Sequence, residues 1–322
     1  MTRITVAGAG AFGTSLAIAL ASEGTEIRLW ARQGAAAERM QKERKNTVYL
    51  PGATLPATVI VTNDAREIER SGIVLLAVPT QKLRDFAVAH AVELAGKTCV
   101  LCCKGVEKNT GLLPGQIVQD VLPDTNTAIL TGPGFASEIA QGLPTALTLA
   151  TGAPDAAALQ AELSTRTLRL YLSDDPIGAQ LGGALKNVIA IASGIAIGAG
   201  LGESARAAVM TRGYAEMVRL AIDLGANPAT LAGLSGLGDL ALTCTSMQSR
   251  NFSLGYSLGQ GGQMSEGTTF EGVATARATM TLAKRRGVEM PLTKIVSAVL
   301  ENELTIREAV KSLLSRPLKS ET

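Results

Sequence analysis

Hydrophobic residues in the first half of the chain form short apolar runs, separated by stretches with helical spacing. The run over residues 73–78 is apolar throughout, which is typical of a parallel strand buried on both faces. A helix through Leu20, closed by Gly24, separates the first two runs. Alternating strands and helices predict a doubly wound α/β sheet with right-handed crossovers. The predicted strands cover residues 4–7, 26–30, 73–78, 99–103 and 127–131, with 145–150 and 168–172 as extensions of the sheet.

The pattern changes after about Ser173, where long helical periodicity replaces the strands. A chain of 322 residues exceeds one comfortable core, so two domains are expected. We predict an α/β domain over residues 1–175 and an all-α domain over residues 176–322. Pro176 and Pro291 suit first-turn positions of helices. The predicted helices cover 176–198, 204–224, 228–234, 269–286, 291–301 and 306–314.

Composition narrows the classes of partner. Hydrophobic residues make up 46% of the chain and charged residues 18%, as in a folded globular protein. The net charge of +2 predicts neither a nucleic-acid partner nor a membrane surface. The apolar stretch over 185–201 contains Lys186 and Asn187, so we interpret it as a buried helix and predict no membrane insertion. Met1-Thr2-Arg3 leads directly into a strand, so no signal peptide is expected.

Cysteine and histidine positions bear on metal binding and compartment. Cys99, Cys102 and Cys103 crowd one apolar strand, and Cys244 stands apart. A zinc site would need further ligands nearby, and the one histidine, His90, is interpreted as structural. We therefore predict no metal, and reduced, buried thiols in a cytoplasmic protein.

The strongest motif is the G-x-G-x-x-G sequence formed by Gly8, Gly10 and Gly13, between a strand and a helix. Gly8 makes the tight turn, Gly10 lets the backbone approach a pyrophosphate, and Gly13 allows close helix–strand packing. The helix N-terminus adds free N–H groups and a partial positive charge. In this context the motif predicts a dinucleotide site. A glycine-rich turn without a ligand is the alternative.

The second strand indicates which dinucleotide is bound. NAD-specific sites place an acid about 20 residues beyond the glycines, to hold the ribose 2′-OH. Here that strand ends in Leu29-Trp30-Ala31-Arg32, without an acid. A guanidinium suits a 2′-phosphate through its charge and forked hydrogen bonds. We predict NADP(H), with tolerance of NAD(H); an exposed surface arginine is the alternative.

Lys186 is the candidate for proton transfer, because His90 is the only histidine. It lies in a stretch, residues 185–194, that is apolar almost all round a helix. A buried lysine has a pKa that shifts readily, which suits acid–base chemistry. A helix-end lysine whose ammonium reaches water is the alternative.

Three other polar positions stand out from their surroundings. Asp239 is a single carboxylate in a glycine- and leucine-rich setting, and Lys104 follows the carboxyl end of a predicted parallel strand, where α/β sheets bind ligands. The Ser249-Arg250-Asn251 sequence offers a forked charge and two neutral hydrogen-bonding groups, which suits a phosphate. Alternatively, Ser249 is only a helix N-cap and Arg250 lies on the surface.

Nine stretches of the chain, in the same order, resemble the bacterial-type NAD(P)-dependent glycerol-3-phosphate dehydrogenase family. They are residues 8–17, 46–52, 103–107, 132–138, 185–188, 211–213, 236–240, 249–251 and 271–272. The resemblance covers nearly the whole chain. It implies a Rossmann-type domain followed by a helical domain. It also implies reversible reduction of dihydroxyacetone phosphate to sn-glycerol 3-phosphate, which feeds glycerophospholipid synthesis in the cytoplasm.

The resemblance also implies roles for particular residues. Lys186 matches the catalytic general acid/base of the family. The substrate-binding positions are Lys104, Gly132, Gly134, Lys186, Asp239, Ser249, Arg250 and Asn251. The cofactor-binding positions are Gly8, Gly10, Ala11, Phe12, Gly13, Arg32, Tyr49, Lys104, Ala136, Arg250, Thr269 and Glu271. Gly134 replaces a common Ser or Thr and Ala11 a common Ser, which bears on affinity more than on reaction type.

Two other functions fit parts of the pattern. One is a two-domain reductase acting on a β-hydroxy or keto acid, which would need a carboxylate clamp in place of a phosphate site. The other is a nicotinamide-sensing protein without chemistry, which would be expected to lack Lys186 or Asp239. A small phosphate compound is the expected partner, and enzymes of this size suggest a homodimer.

Overall fold

A computed structural model describes residues 2–263 and 270–315 of the chain. The strands are β1 (Ile4–Ala7), β2 (Ile27–Trp30), β3 (Val59–Thr62), β4 (Ile73–Leu76), β5 (Thr98–Leu101), β6 (Asn126–Thr131), β7 (Thr145–Ala150) and β8 (Leu168–Ser173). They form one sheet in the order β3-β2-β1-β4-β5-β6-β7-β8. Neighbouring strands are parallel except β6 and β7. The predicted doubly wound α/β architecture is confirmed, whereas the antiparallel pair had no signal in the sequence.

Helices cover both faces of the sheet. They are α1 (Ala11–Ala21), α2 (Gly34–Glu43), α3 (Arg66–Glu69), α4 (Thr80–Ala89), α5 (Ala91–Leu94), α6 (Pro114–Val121), α7 (Ala136–Ala140) and α8 (Ala156–Leu163). On β4, Ile73 and Leu75 join one hydrophobic core, while Val74 and Leu76 join another on the opposite face. Burial on both faces explains why the β4 sequence is apolar without alternation.

The second half is helical. It contains α9 (Pro176–Gly198), α10 (Glu203–Asp223), α11 (Pro228–Ala232), α12 (Asp239–Cys244), α13 (Arg250–Gly259), α14 (Glu271–Arg286), α15 (Pro291–Leu300) and α16 (Ile306–Leu314). A π-helical turn, Leu234–Gly238, leads into α12. By length and composition α9 alone among the described helices could cross a membrane, but 83% of its most apolar window is buried inside the molecule. It is the core helix of this half.

Glycines bring α9 and α13 unusually close. A Cβ atom on Gly194 would collide with the Phe252 carbonyl oxygen, and one on Gly255 would collide with that of Ile191. The two backbones therefore touch without intervening side chains. This contact fixes the start of α13, which carries the Ser249-Arg250-Asn251 sequence, against the helix that carries Lys186.

Some elements differ from the sequence prediction. Strand β3 and helices α12 and α13 were not predicted. The apolar run of β3 covers only residues 59–61, α12 has six residues, and polar residues and glycines interrupt α13. The helix expected from Thr269 begins at Glu271 among the described residues, and Thr269 itself lies outside them. β8 ends at Ser173 and α9 begins at Pro176, so we propose that the domains meet between residues 175 and 176.

Candidate active site

The glycine turn between β1 and α1 has the geometry that a pyrophosphate requires. Gly8 has a φ of +117°, and a Cβ atom there would lie 2.6 Å from the Ala77 carbonyl oxygen. A Cβ atom on Gly13 would collide with the Gly8 carbonyl, whereas nothing lies within 4 Å of that position at Gly10. Gly10 is also the N-cap of α1, so unpaired N–H groups of that helix begin at the open side of the turn. The turn therefore fits a dinucleotide.

Other predicted cofactor residues lie at the start of α1 and in the segments after β2 and α2. Ala11 and Phe12 open α1 and are half-buried. Arg32 is exposed, two residues beyond the end of β2. Tyr49 lies in the loop after α2 with 61% of its surface exposed, so its ring is free to meet a ligand.

Two lysines share one buried carboxylate at the centre of the molecule. The Lys186 ammonium donates to Asp239 Oδ1 at 2.5 Å, and the Lys104 ammonium donates to Asp239 Oδ2 at 2.6 Å. Asp239 is fully buried at the start of α12, and Lys186 is 8% exposed in the middle of α9. This trio, the lysine–aspartate cluster, joins residues from β5's carboxyl end, α9 and α12. The alternative in which Lys186 reaches out to water is wrong.

Burial makes Lys186 suitable for proton transfer. Loss of hydration lowers the pKa of its ammonium to about 8, against the opposing attraction of Asp239. The positive charge of Lys104 is a second cause of this lowered pKa. A group with a pKa near the working pH can both give and accept a proton. Lys186 is therefore the candidate general acid/base.

Lys104 connects the cluster to the cofactor turn. It follows β5, and its ammonium also donates to the Gly132 carbonyl oxygen at 3.3 Å. The same Nζ lies 5.8 Å from the centroid of the Phe12 ring, in the first turn of α1. Lys104, predicted for both ligands, therefore lies between Asp239 and the predicted cofactor residue Phe12.

The phosphate candidates lie at the start of α13. Ser249 is buried and is the N-cap, accepting a hydrogen bond from the Phe252 N–H at 3.2 Å. This cap uses an acceptor lone pair, so the hydroxyl proton can still be donated. Arg250 is exposed, and Asn251 Oδ1 accepts from the Gly272 N–H at 3.2 Å. The N-cap interpretation of Ser249 is confirmed, and it leaves the phosphate interpretation open.

Glu271 is the first residue of α14 and lies near the start of α13. Burial raises the pKa of its carboxyl, while the charges of Arg250, Lys104 and Lys186 oppose that rise. Asn251 contacts the next residue of α14. The predicted cofactor contact from the helical half therefore lies beside the proposed phosphate site and the lysine–aspartate cluster.

The segment after β6 supplies the remaining predicted contacts. Gly132 has a φ of +139°, and its carbonyl faces Lys104. A Cβ atom on Gly134 would lie 3.1 Å from Ile139 Cδ1 and 3.2 Å from Thr145 Cγ2, tighter than ordinary packing. Ile139 and Thr145 therefore leave little room for a side chain at Gly134. Ala136 is the first residue of α7.

Thr243 has a contact that the sequence did not assign. The Lys186 ammonium donates to its hydroxyl at 2.8 Å, and the residue is buried. Thr243 lies four residues after Asp239 on α12, so both face the same side of the helix. That spacing was the available signal, but it required knowing that residues 239–244 are helical.

A dinucleotide turn connected to a titratable lysine defines a nicotinamide-dependent oxidoreductase. Two family models match the chain: NAD-dependent glycerol-3-phosphate dehydrogenase N-terminus over residues 3–157 and C-terminus over residues 175–311. The chain belongs to the NAD-dependent glycerol-3-phosphate dehydrogenase family. The family supports use of NADP(H) or NAD(H) as cofactor.

Individual relatives match along their whole length. A Ruegeria sp. (strain TM1040) protein named glycerol-3-phosphate dehydrogenase (NAD(P)+) is 55% identical over 99% of both chains. A Roseobacter denitrificans protein of the same name is 55% identical over 98% of this chain and 99% of its own. The crystal structure of the Coxiella burnetii glycerol-3-phosphate dehydrogenase has a TM-score of 0.93 and 37% identity, covering 98% of this chain and 99% of the other.

Proposed function

We propose that this chain catalyses the reversible NAD(P)H-dependent reduction of dihydroxyacetone phosphate to sn-glycerol 3-phosphate, the reaction named by its relatives. The observation that carries the proposal is the lysine–aspartate cluster beside the glycine turn. Lys186 has a pKa near 8 and reaches Asp239 at 2.5 Å. The product is a precursor for glycerophospholipid synthesis.

Lys186 performs the proton transfer in this proposal. A bound nicotinamide supplies hydride transfer to or from C2 of the substrate. The Lys186 ammonium donates a hydrogen bond to the C2 oxygen, stabilises its developing negative charge, and gives it a proton. In the oxidation direction the neutral amine takes the proton back. Asp239 and Thr243 hold the Lys186 Nζ atom in place from the side of α12.

Cations and hydrogen-bond donors at the start of α13 hold the phosphate. Arg250 supplies a forked positive charge, and Ser249 and Asn251 supply neutral hydrogen bonds. Lys104, Gly132 and Gly134 contribute from the α/β half, where the Lys104 ammonium already faces the Gly132 carbonyl. A substrate carboxylate would require a different clamp, which is why a phosphate substrate is favoured over a keto acid.

Replacement of Lys186 by alanine tests the assignment. We expect kcat to fall by about 100- to 10,000-fold, the usual contribution of general acid–base catalysis, while NADPH binding stays largely intact. Lys82→Ala, which alters an exposed lysine on α4, is the matched control and should retain full activity. A near-normal kcat in Lys186→Ala would exclude Lys186 as the acid/base.

Arg32 is proposed to favour NADP(H), through charge and forked hydrogen bonds to the 2′-phosphate. Its exposed position after β2, without an acid at the strand end, supports this. A kinetic comparison of NADPH and NADH with dihydroxyacetone phosphate measures the preference. Arg32→Ala should reduce that preference, and an unchanged ratio of kcat/KM values would exclude the role.

We further propose that the protein works in the cytoplasm as a homodimer. Its four cysteines are free thiols, which suits a reducing compartment. The dimer is proposed from the size of the enzyme alone. Light scattering on the purified protein would establish the oligomeric state.

A further inference from the structure

Asn46 is a buried amide beside the glycine turn, to which neither the family resemblance nor the mechanism assigns a role. It lies between α2 and β3 and is 3% exposed. We propose that Asn46 is a positioning residue that sets the orientation of the pyrophosphate-binding turn. The proposal rests on the proposed use of NADP(H).

The side chain of Asn46 forms hydrogen bonds with the turn and with the helix that follows it. Its Nδ2 atom donates to the Ala9 carbonyl oxygen at 2.9 Å and to Thr14 Oγ1 at 2.8 Å. Ala9 lies between Gly8 and Gly10, and Thr14 lies in the first turn of α1. One amide group therefore ties the loop to the helix that follows it.

The contact with Ala9 decides where the next N–H points. The Ala9–Gly10 peptide is trans and planar, so its carbonyl and the Gly10 N–H point in opposite directions. Because Asn46 holds the carbonyl, the N–H of Gly10 is directed away from Asn46. Gly10 has open space on its side-chain side and caps α1, whose N-terminus attracts phosphate.

The acceptor atom of the same amide binds the adjoining loop. Asn46 Oδ1 accepts from the Tyr49 N–H at 3.3 Å. The Asn46 side chain thus donates two hydrogen bonds and accepts one. An aspartate has the same shape but lacks the two N–H donors, and its charge would lie beside the site of an anionic ligand.

The test is a measurement of cofactor binding in Asn46→Asp. We expect the dissociation constant for NADPH, measured by calorimetry, to rise about tenfold or more, since two buried hydrogen bonds are lost and a negative charge is added. At saturating NADPH, the KM for dihydroxyacetone phosphate should change less than threefold. On a logarithmic scale, this is roughly half of the tenfold change expected in the NADPH dissociation constant. Asn126→Asp, the same chemical change at an exposed position on the far end of β6, should leave both unchanged.

A second ligand separates positioning of the turn from general damage. Adenosine 2′-monophosphate lacks the pyrophosphate, so its affinity should be the same in Asn46→Asp and in the unaltered protein. Equal loss for this ligand and NADPH, or an NADPH affinity within twofold of the unaltered protein, would overturn the proposal. Thr14→Val adds no charge, removes one of the two acceptors, and should weaken NADPH binding selectively by about threefold, also where Asn46→Asp does not fold.

Wild-type controls distinguish this proposal from the proposed function. Failure of the unaltered protein to bind NADPH or to reduce dihydroxyacetone phosphate would count against the function. Normal binding and turnover in the unaltered protein, together with an unaffected Asn46→Asp variant, would count against the positioning role alone.

Discussion

At the scale of single residues, the chemistry depends on what surrounds Lys186. A lysine in water is almost fully protonated at neutral pH and transfers protons poorly. Burial in α9 lowers its pKa to about 8, and the shared carboxylate of Asp239 prevents a larger fall. The same ammonium is thus kept charged enough to donate a proton and labile enough to lose it.

The pH dependence of the two reaction directions follows from this pKa. Reduction needs the protonated amine, so its kcat should fall as the pH rises through about 8. Oxidation needs the neutral amine, so its kcat should rise over the same range. Steady-state kinetics in both directions would measure these two limbs of the pH profiles, the fall in kcat for reduction and the rise for oxidation. Parallel rather than opposite limbs would contradict the role of Lys186.

The neighbouring lysine provides a second test of the same electrostatics. Because the Lys104 charge lowers the pKa of Lys186, Lys104→Met should shift both limbs to higher pH. The affinity for substrate should fall as well, since Lys104 is a proposed phosphate contact. A profile that stays at the same pH would show that the two ammonium groups do not interact.

At the scale of elements, the packing of α9 against α13 sets the distance between Lys186 and the proposed phosphate site. In Gly255→Ala the new methyl group would collide with the Ile191 carbonyl, a backbone atom that cannot rotate away. We expect a loss of about 1–3 kcal/mol in the free energy of unfolding, measured by urea denaturation. Gly152→Ala, where nothing lies within 4 Å, should change it by less than about 0.5 kcal/mol.

A second contact joins α7 to the loop before α13. Ser137 Oγ donates to Gln248 Oε1 at 3.0 Å, and Gln248 Nε2 donates to Glu138 Oε1 at 3.2 Å. This contact links the helix that begins at Ala136 to the proposed phosphate site. We expect Gln248→Ala to raise the KM for dihydroxyacetone phosphate by about three- to tenfold with little change in kcat.

Gln260→Ala is the matched control for that change. Gln260 lies just beyond the other end of α13, where its side chain donates to Tyr256 Oη and to no other described residue. The KM of Gln260→Ala for dihydroxyacetone phosphate should equal that of the unaltered enzyme. An unchanged KM in Gln248→Ala would show that the α9–α13 packing alone places the phosphate site.

At the scale of the whole molecule, NADPH binding should stabilise the fold, because the unfolded chain has no dinucleotide site. NADPH at one hundred times its dissociation constant should stabilise the folded state by about 2.7 kcal/mol, seen as a rise in Tm. Lys186→Ala should retain this rise, since the proposed role of Lys186 is on the substrate. A Tm insensitive to NADPH would contradict the cofactor assignment.

Much of this architecture could be predicted from the sequence. Continuous apolar runs identified the buried strands, because β4 and its neighbours are covered on both faces. The glycine spacing identified the dinucleotide turn, because each glycine meets a local steric demand. Strand β3 was missed because its apolar run covers only residues 59–61, against six residues in the run that contains β4. Helix α13 was missed because polar residues and two glycines interrupt its apolar positions.

The sequence by itself determined the order of elements, the cofactor turn and a set of candidate polar residues, because these depend on local spacing. Only the tertiary structure decided that Lys104 and Lys186 share Asp239, from which they are separated by 135 and 53 positions. It likewise decided the burial that lowers the pKa of Lys186. Proximity and loss of hydration arise from packing between distant segments, which a linear pattern does not encode.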